Sequence, residues 1–277
     1  MRICLLTPAP DHPLLARTTD LLTSRHTVEW LDPGTADAAL PDPATLADVY
    51  LLKTRTPRAL AYARHLEEHG APVLNSAAAT ELCQDRTAMA DVALRAGLPF
   101  VATRTEPSLR LPGPAAEPAW PVVVKSRHSR RHDLVARVDD AERLRELAAR
   151  WPDEPVVIQP FTPNSGWDHK MWVVGDEIFA GLRRSELAEG GADKRTRTLG
   201  LGDLPDEWLE VVRRVGEVFA LDVYGVDLLD AGGGAPVIVD INAFPGIRGQ
   251  HGAPEALAAL ALHTAAGSRR PRVPVGP

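Results

Sequence analysis

The sequence predicts a mixed fold that joins α/β and α+β organisation, with a small parallel α/β domain at the N-terminus and two α+β subdomains after it. Short apolar runs alternate with helical stretches over the first 75 residues, which is typical of a parallel sheet covered by helices. Glycine-centred hairpin signals dominate the second half of the chain. With 277 residues, the chain is long enough to bury a core in each part.

Turn and cap residues mark the elements of the first domain. The helix predicted over 57–69 has Pro57 in its first turn and Gly70 directly after it, and these are ordinary start and stop signals. Gly97 closes a longer helix, predicted over 76–96, in the same way. The other predicted elements are strands at 3–6, 28–31, 49–52 and 72–74 and a helix at 14–24.

The second half of the chain carries its own strand and helix patterns. A helix over 205–221 is predicted to be amphipathic, because its large apolar residues recur at i, i+3, i+4 and i+7. Strands are predicted at 120–125, 134–138 and 155–159, a helix ending at 151, and a hairpin over 170–183 that turns at Gly175-Asp176. The predicted domains are 1–75, 76–266 (a central subdomain at 99–160 and a C-terminal subdomain at 161–266) and a disordered, Pro- and Arg-rich tail at 267–277.

Composition excludes several classes of function. A net charge of −6 argues against a molecule that binds nucleic acid through its overall charge. Cys4 and Cys83 lie in separate apolar runs without a CxxC pattern, so neither a disulfide framework nor a zinc site is expected. No apolar run reaches the roughly 18 to 20 residues of a membrane span, and the N-terminus does not resemble a signal peptide. We expect a cytoplasmic protein without nucleic-acid or membrane partners, and its oligomeric state stays open.

The most informative stretch is a hairpin near the C-terminus, in which two β-branched runs flank a glycine-rich break. A turn centred between Gly233 and Gly234 sets Asp227 opposite Asp240, and Asn242 shares the face of Asp240 because side chains alternate along a strand. Opposed like charges destabilise a sheet, whereas carboxylate and amide oxygens are ligands of Mg²⁺. We therefore predict a divalent cation at these three residues; the alternative is a pair of solvated aspartates beside a turn.

This pattern resembles the metal-binding end of the ATP-grasp superfamily, in which an acidic residue on one strand and Asp/Glu-x-Asn on the next hold Mg²⁺ on ATP. Residues 225–229, Gly-Val-Asp-Leu-Leu, are similar to RimK-type amino-acid ligases, which usually carry Glu at the position of Asp240. The run from Asp240 to Gly246 is more similar to inositol polyphosphate kinases, which carry Asp there. The resemblance implies an ATP-grasp fold with two α+β subdomains enclosing ATP, and the cofactors ATP and Mg²⁺ or Mn²⁺.

The resemblance also implies residues that contact the nucleotide. Lys125, at the end of a buried strand, matches a lysine that contacts the α- and β-phosphates, and Arg86 follows an Asp as in the family's Asp-Lys or Asp-Arg pair. The strand ending at Gln159 is similar to the hinge that reads adenine. The implied nucleotide contacts are Arg86, Lys125, Gln159, Phe161 and Lys170.

The next hairpin supplies the candidate catalytic residue. Its predicted turn sets Asp168 opposite Arg183, with Lys170 on the same face, which taken alone indicates a cross-strand ion pair. By resemblance, Arg183 matches an arginine near the γ-phosphate. We therefore assign to Arg183 the stabilisation of charge that develops in the transition state.

The loop after Lys125 departs from the family, which mostly carries a glycine-rich flap there. Residues 126–133 contain no glycine but three arginines and two histidines. This patch indicates a phosphorylated or carboxylate-rich ligand, and the alternative is a solvated loop with counterions. Lys53 matches a substrate-binding lysine of the kinases, whereas Asn164 stands where they carry a His. The predicted second-substrate contacts are Lys53, Arg127, His128, Arg130, Arg131, His132, Asn164 and Arg248.

The acceptor of the γ-phosphate decides the function. We favour a carboxylate, which would form an acyl phosphate that an amine attacks, as in RimK-type ligases. The alternative is a hydroxyl of an anionic polyol, as in the inositol polyphosphate kinases, and Asp240, Lys53 and the basic loop support it. A nucleotide-binding protein without catalysis is disfavoured because the expected metal and phosphate residues are present. The implied partner is a small molecule or peptide that bears carboxylate or phosphate.

Overall fold

Three sheets organise the molecule, whose computed structural model describes residues 1–35, 40–110, 119–130, 132–185, 187 and 196–274. One four-stranded sheet is parallel, and the other two, of four and five strands, are antiparallel. The predicted combination of α/β and α+β organisation is therefore confirmed. No helix in these ranges is long and apolar enough to cross a membrane.

The N-terminal strands form the parallel sheet, as predicted. Its elements are β1 (Arg2–Leu6), α1 (Pro13–Leu22), β2 (Thr27–Leu31), β3 (Val49–Leu52), α2 (Pro57–Glu68) and β4 (Val73–Leu74). The strand order is β2-β1-β3-β4. Ile3 and Leu51 are fully buried with Leu15 of α1, so the sheet is covered by the helices that follow its strands.

The single helix predicted over 76–96 is wrong, because two helices occupy this segment. They are α3 (Ala77–Leu82) and α4 (Arg86–Arg95). The side chain of Asp85 accepts hydrogen bonds from the backbone N–H groups of Thr87 at 2.9 Å and Ala88 at 3.4 Å. Asp85 is therefore the N-cap of a new helix, and Arg86 begins its first turn.

The second sheet is antiparallel and covers the middle of the chain. Its elements are β5 (Arg104–Glu106), β6 (Val122–Ser126), β7 (Val135–Val138), α5 (Ala141–Arg150) and β8 (Val156–Pro160). The strand order is β5-β8-β6-β7, and Val124 and Val156 pack in one core with Leu147 of α5. The strands predicted at 120–125, 134–138 and 155–159 are confirmed, with small shifts at their ends.

The third sheet contains both predicted hairpins. Its elements are β9 (Trp167–Val174), β10 (Glu177–Arg184), β11 (Thr196–Leu199), α6 (Asp206–Val218), β12 (Val223–Asp230), β13 (Pro236–Ala243) and α7 (Ala253–Ala265). The strand order is β11-β10-β9-β12-β13. Trp208, Val212 and Val215 of α6 pack against this sheet, which confirms the predicted amphipathic helix.

A shared apolar core joins the N-terminal domain to the third sheet. Leu14 and Leu15 of α1 belong to one buried cluster with Trp172 of β9 and Leu257 of α7. The helices α1 and α7 pack against each other. The C-terminal helix therefore bridges the first domain and the sheet that carries the aspartate hairpin.

Asn75 completes this connection with hydrogen bonds. Its side chain is fully buried after β4, and its oxygen accepts from the backbone N–H groups of Asp222 at 2.7 Å and Val223 at 2.8 Å. The Asn75 amide donates to the carbonyl of Val223 at 2.6 Å. One side chain thus acts as the backbone partner of the first residue of β12.

The predicted disordered tail at 267–277 is wrong for its described part, residues 267–274. Arg269 contacts Asp176 at 2.9 Å and Asp222 at 3.4 Å. The backbone N–H of Arg272 donates to Asp222 at 2.9 Å, and its guanidinium donates to the carbonyl of Leu221 at the same distance. The buried carboxylate of Asp222 orders this segment, and composition alone does not reveal such a partner. Residues 275–277 lie outside the described residues.

Asn75→Ala is expected to lower the free energy of unfolding by about 3 kcal/mol, because buried backbone groups of β12 lose their partner. Asn164→Ala is the matched control, since Asn164 bonds to Gly166 and Thr162 in a partly exposed loop. The control is expected to cost under about 1 kcal/mol. Urea unfolding measures both values, and equal losses would contradict the special role of Asn75.

Candidate functional site

The two aspartates of the C-terminal hairpin face each other. Asp227 of β12 and Asp240 of β13 are direct partners in the strand register, so the predicted pairing is confirmed. The turn is centred on Gly233 rather than between Gly233 and Gly234. An unpaired residue, Val239, forms a β-bulge that compensates for this offset and restores the opposition of the carboxylates.

The bulge at Val239 allows β13 to bury apolar side chains in the core and also to direct a carboxylate into the cleft. In a regular strand Ile238, Asp240 and Asn242 would share one face. With the extra residue, Ile238 and Ile241 both lie fully buried in the core, while Asp240 lines a cleft. β-Bulges commonly redirect side chains beside active sites in this way.

Each aspartate has a basic neighbour. Lys170 Nζ lies 2.6 Å from Asp227 Oδ2 and 3.7 Å from Asp168 Oδ2, and Arg86 Nη2 lies 3.6 Å from Asp240 Oδ2. Burial raises the pKa of Asp227, and the ammonium of Lys170 opposes this shift. Burial alone would lower the pKa of Lys170, but Asp227 and Asp168 hold it above its usual value. Positive groups therefore already balance the opposed carboxylates.

A cleft of about 260 Å³ brings most of the predicted nucleotide and metal residues together. It lies between the two antiparallel sheets, with Lys125 and Gln159 contributed by one and Lys170 and Arg183 by the other. The register partner of Arg183 is Asp168, as predicted. The predicted residues on its wall are Arg86, Lys125, Gln159, Phe161, Asn164, Lys170, Arg183, Asp227 and Asp240.

Lys125 is a buried cation at the end of β6. Only 7% of the residue is exposed, and Nζ donates a 2.8 Å hydrogen bond to the carbonyl of Val239, the bulge residue. Burial lowers the pKa of Lys125, and Asp240 opposes that shift. The buried ammonium group of Lys125 does not use all of its N–H donors in this hydrogen bond to a neutral carbonyl. The remaining N–H donors can therefore bind an anion.

The end of β8 forms a polar edge of the cleft. The amide of Gln159 is buried and donates to the hydroxyl of Thr103 at 3.0 Å. The backbone N–H of Phe161 donates to the carbonyl of Pro121 at 3.0 Å, and the guanidinium of Arg137 lies 4.3 Å from the Phe161 ring. Adenine recognition by Gln159 and Phe161 stays a prediction.

The protein's own carboxylates engage two arginines of the basic loop. Arg127 pairs with Asp85 at 2.6 Å, and Arg130 pairs with Glu154 at 2.7 Å. The loop sequence alone does not show these partners, because they come from distant segments. Arg131 lies outside the described residues. Substrate binding by Arg127 and Arg130 stays a prediction, and it would require these ion pairs to open.

The structure also describes three further residues predicted to contact the second substrate, which are His128, His132 and Asn164. His128 forms a backbone bridge with Asp85, and His132 has a left-handed φ of 61°. Asn164 lines the cleft, but its side chain accepts from the backbone N–H of Gly166 at 2.7 Å and so closes its own turn. Their substrate contacts also stay predictions.

A second cavity, of about 340 Å³, adjoins the hairpin where the parallel sheet meets β13. Lys53 follows β3 directly and donates from Nζ to the carbonyls of Phe244 at 3.1 Å and Pro245 at 3.2 Å. Ligand sites of α/β sheets commonly lie at this carboxyl end of the strands. The polar residues on its wall are Lys53, Thr54, Arg55, Thr80 and Asn242.

This second cavity is cationic. Burial, Arg248 and Arg55 lower the pKa of Lys53 to about 8, so it carries a charge at neutral pH. Burial, Lys53 and Arg248 lower the pKa of His12 to about 4. The hydroxyl of Thr80 is buried without a hydrogen-bond partner among the described residues. Sequence reasoning missed Thr80, because it stands in no recognisable motif.

Comparisons with known proteins identify relatives of this chain. Residues 115–255, about half of the chain, match the family model described as RimK-like ATP-grasp domain. The ribosomal protein bS6–L-glutamate ligase of Escherichia coli (strain K12 / DH10B) is 31% identical over 103 residues, which cover 34% of this chain and 32% of that protein. The same values hold for the protein of Shigella boydii serotype 18. The match spans about a third of the length of these curated relatives.

Solved structures with the same fold match nearly the whole chain. The RimK domain protein ATP-grasp from Sphaerobacter thermophilus has a TM-score of 0.72 at 23% identity, covering 95% of this chain and 100% of that one. The D-alanine–D-alanine ligase from Bacillus anthracis has a TM-score of 0.70 at 15% identity, covering 97% and 98%. The fold is therefore the ATP-grasp fold, and the chain belongs to the RimK-like ATP-grasp family.

Proposed function

We propose that this protein is an ATP-dependent carboxylate–amine ligase. The γ-phosphate of ATP passes to a substrate carboxylate, and an amine then displaces phosphate from the acyl phosphate to form an amide, with release of ADP and phosphate. The observation that carries this proposal is the cleft in which Asp227 and Asp240 face each other beside Lys125, Lys170 and Arg183. Membership of the RimK-like family supports the same chemistry.

Asp227, Asp240 and Asn242 fit a hard divalent cation, Mg²⁺ or Mn²⁺, because their donor atoms are oxygens. Lys170 and Arg86 now balance the carboxylate charge that such a cation would balance. The described part of the chain contains no group of three or more His, Cys, Asp and Glu residues suited to a metal. The amide of Asn242 and the phosphates of ATP would therefore complete the ligand set. When bound, the cation would neutralise phosphate charge.

The basic residues of the cleft are proposed to bind and orient the phosphates. Lys125 reaches the site from β6 and Lys170 from β9, so positive charge comes from both sheets. Arg183 lies on the adjacent strand β10 and is the proposed catalytic residue, which stabilises charge on the transferring phosphoryl group. Because the cleft is partly buried, these interactions between basic side chains and phosphate groups are stronger than they would be in water.

The acceptor is proposed to bind in the cavity around Lys53. Asn242 lines this cavity and lies two residues from Asp240, so a carboxylate held by Lys53 and Arg55 would lie beside the phosphates. The curated relatives are named ribosomal protein bS6–L-glutamate ligase, and the ATP-grasp ligase PsnB has been solved with a precursor, Mg and ADP. These names support a peptide or protein substrate that bears a carboxylate.

Two observations favour a second candidate, a kinase that phosphorylates a hydroxyl of an anionic polyol. Asp240 stands where RimK-type ligases usually carry Glu, and the cationic cavity around Lys53 also suits phosphate groups. The relatives named as ligases favour the first candidate.

The products of turnover separate the two candidates. The protein is incubated with Mg·ATP and either pairs of carboxylates and amines or phosphorylated polyols, and ADP, phosphate and product mass are followed. The ligase produces phosphate together with a product formed by loss of water between two substrates. A product that gains one phosphoryl group without phosphate release indicates the kinase. ATP binding without turnover of any acceptor would contradict both and indicate a non-catalytic nucleotide-binding protein.

Asp240→Asn is expected to reduce kcat about 100-fold or more, because the cation loses a charged ligand. Asp230→Asn is the matched control, since Asp230 is the exposed last residue of the same strand as Asp227. The control is expected to turn over at the unsubstituted rate. Thermal melting checks that both variants fold, and a kcat of Asp240→Asn within about threefold of the control would refute the metal assignment.

Lys125 and Lys170 are expected to differ in their effects on stability. Lys125→Met removes a desolvated cation whose hydrogen bond goes to a carbonyl, so the free energy of unfolding is expected to stay equal or rise by about 1 kcal/mol while ADP binding weakens. Lys170→Met leaves Asp227 without its 2.6 Å partner and is expected to cost about 2 kcal/mol. Equal destabilisation in chemical unfolding would show that Lys125 is a structural residue.

Acceptor binding is expected to depend on pH through Lys53. Since its pKa is about 8, Lys53 is charged at lower pH and loses its charge as the pH rises through that value. KM for the carboxylate acceptor is therefore expected to rise about tenfold between pH 7 and pH 9, whereas Lys53→Arg keeps its charge and flattens the profile. KM for ATP is the internal control. Identical pH profiles for the unsubstituted enzyme and the Lys53→Arg variant would exclude this role.

A further inference from the structure

Arg86 connects Asp133, in the loop after β6, to Asp240 of the aspartate pair. Arg86, of which 5% is exposed, donates from Nη1 to Asp133 Oδ2 at 2.8 Å and to the carbonyl of Ser126 at 2.7 Å. Its other terminal nitrogen, Nη2, lies 3.6 Å from Asp240 Oδ2, beyond hydrogen-bonding distance. The guanidinium therefore forms a short hydrogen bond with Asp133 and a longer ion pair with Asp240.

The position of Asp133 is set by the attachment of its loop to the start of α4. Asp85 pairs with Arg127 at 2.6 Å, and the backbone N–H of Arg86 donates to the carbonyl of Arg127 at 2.9 Å. Asp85, the N-cap of α4, thus holds the loop at Arg127, and Arg86, the first residue of α4, holds it at Asp133. The glycine-free loop has defined contacts at both ends.

Arg86 and a divalent cation compete for the same atom. Asp240 Oδ1 accepts a 3.2 Å hydrogen bond from the backbone N–H of Ile241, so Oδ2 is the oxygen with fewer constraints. A guanidinium that closed on Oδ2 would form a charge-assisted hydrogen bond and oppose metal coordination there. The bond to Asp133 draws the guanidinium away from this oxygen.

We propose that Asp133 is a positioning residue of the metal site, which holds Arg86 back so that Asp240 Oδ2 stays available to a divalent cation. The proposal rests on the proposed function and adds a residue that does not line the cleft. Without the Asp133 carboxylate, Arg86 closes on Asp240 and weakens metal binding. Carboxylates that orient groups around metal ligands commonly change metal affinity by about 10- to 100-fold.

The test is Mn²⁺ binding by the full chain at saturating ADP, measured by electron paramagnetic resonance. Asp133→Asn is expected to weaken Mn²⁺ binding about tenfold, while the affinity for ADP without metal changes less than about twofold. Asp153→Asn is the matched control, because it makes the same change in an exposed ion pair with Arg110, and it is expected to bind Mn²⁺ normally. Unchanged Mn²⁺ affinity in Asp133→Asn overturns the proposal.

A double variant tests whether Asp133 acts through Arg86. Arg86→Gln combined with Asp133→Asn removes the competing cation together with its partner, so at an ADP concentration that again saturates the protein, Mn²⁺ is expected to bind at least about threefold more tightly than to Asp133→Asn alone. Affinity as weak as that of Asp133→Asn alone overturns the proposed mechanism.

A conservative variant covers the case in which Asp133→Asn does not fold. Asp133→Glu keeps the carboxylate and is expected to bind Mn²⁺ within about twofold of the unsubstituted protein, whereas a tenfold loss overturns the proposal. No acceptor is present in these titrations, so a failure to find ligase turnover is distinguishable from a failure here. Absence of saturable Mn²⁺ binding by the unsubstituted protein also overturns the proposal.

Discussion

Two carboxylates held face to face by strand pairing are the constraint on which the site depends. Asp227 and Asp240 are placed opposite each other by the β12–β13 register, and such a pair is unfavourable unless positive charge compensates it. Lys170 and Arg86 supply that charge from β9 and from the first turn of α4. These elements belong to different parts of the fold. The need to compensate the charge of the two carboxylates therefore favours an arrangement in which positive side chains meet in the cleft between the two antiparallel sheets.

The remaining chemistry lies where the N-terminal domain meets this hairpin. Lys53 lies at the carboxyl end of β3 and donates hydrogen bonds to the carbonyls of Phe244 and Pro245, just beyond β13. The shared core of α1, α7 and the third sheet holds these segments together, and Asn75 ties the domain to the first residues of β12. The proposed acceptor cavity therefore has its position fixed relative to the metal residues.

The features that the sequence predicts well are set by local patterns. Alternating apolar residues and glycine turns are enough to place the strands and both hairpins. The opposition of Asp227 and Asp240 is predicted from a turn centre that is half a residue off, and the bulge at Val239 compensates for that offset. The bulge at Val239 is not predicted, because it arises from the need to bury both Ile238 and Ile241 in one core. That need becomes visible only when the sheet packs against α6.

Three contacts that the sequence does not reveal share one cause, which is a partner from a distant segment of the chain. The loop sequence predicts that Arg127 contacts a substrate anion, and it does not reveal that folding brings Arg127 to Asp85, 42 residues away. The tail is read as disordered from its composition, yet Asp222 is buried beneath Arg269 and Arg272. Family resemblance places Arg86 on the cleft wall, whereas its contact with Asp133 depends on how the loop folds back onto α4.

The most direct test of the central claim is the position of a metal ion beside a bound nucleotide. Crystals grown with Mn²⁺ and a non-hydrolysable ATP analogue would show the ion by its anomalous scattering. We expect a peak within coordination distance of carboxylate oxygens of both Asp227 and Asp240, with Lys170 moved from Asp227 toward the phosphates. A bound nucleotide whose metal is held by other residues, with the Lys170–Asp227 ion pair still closed, would contradict it.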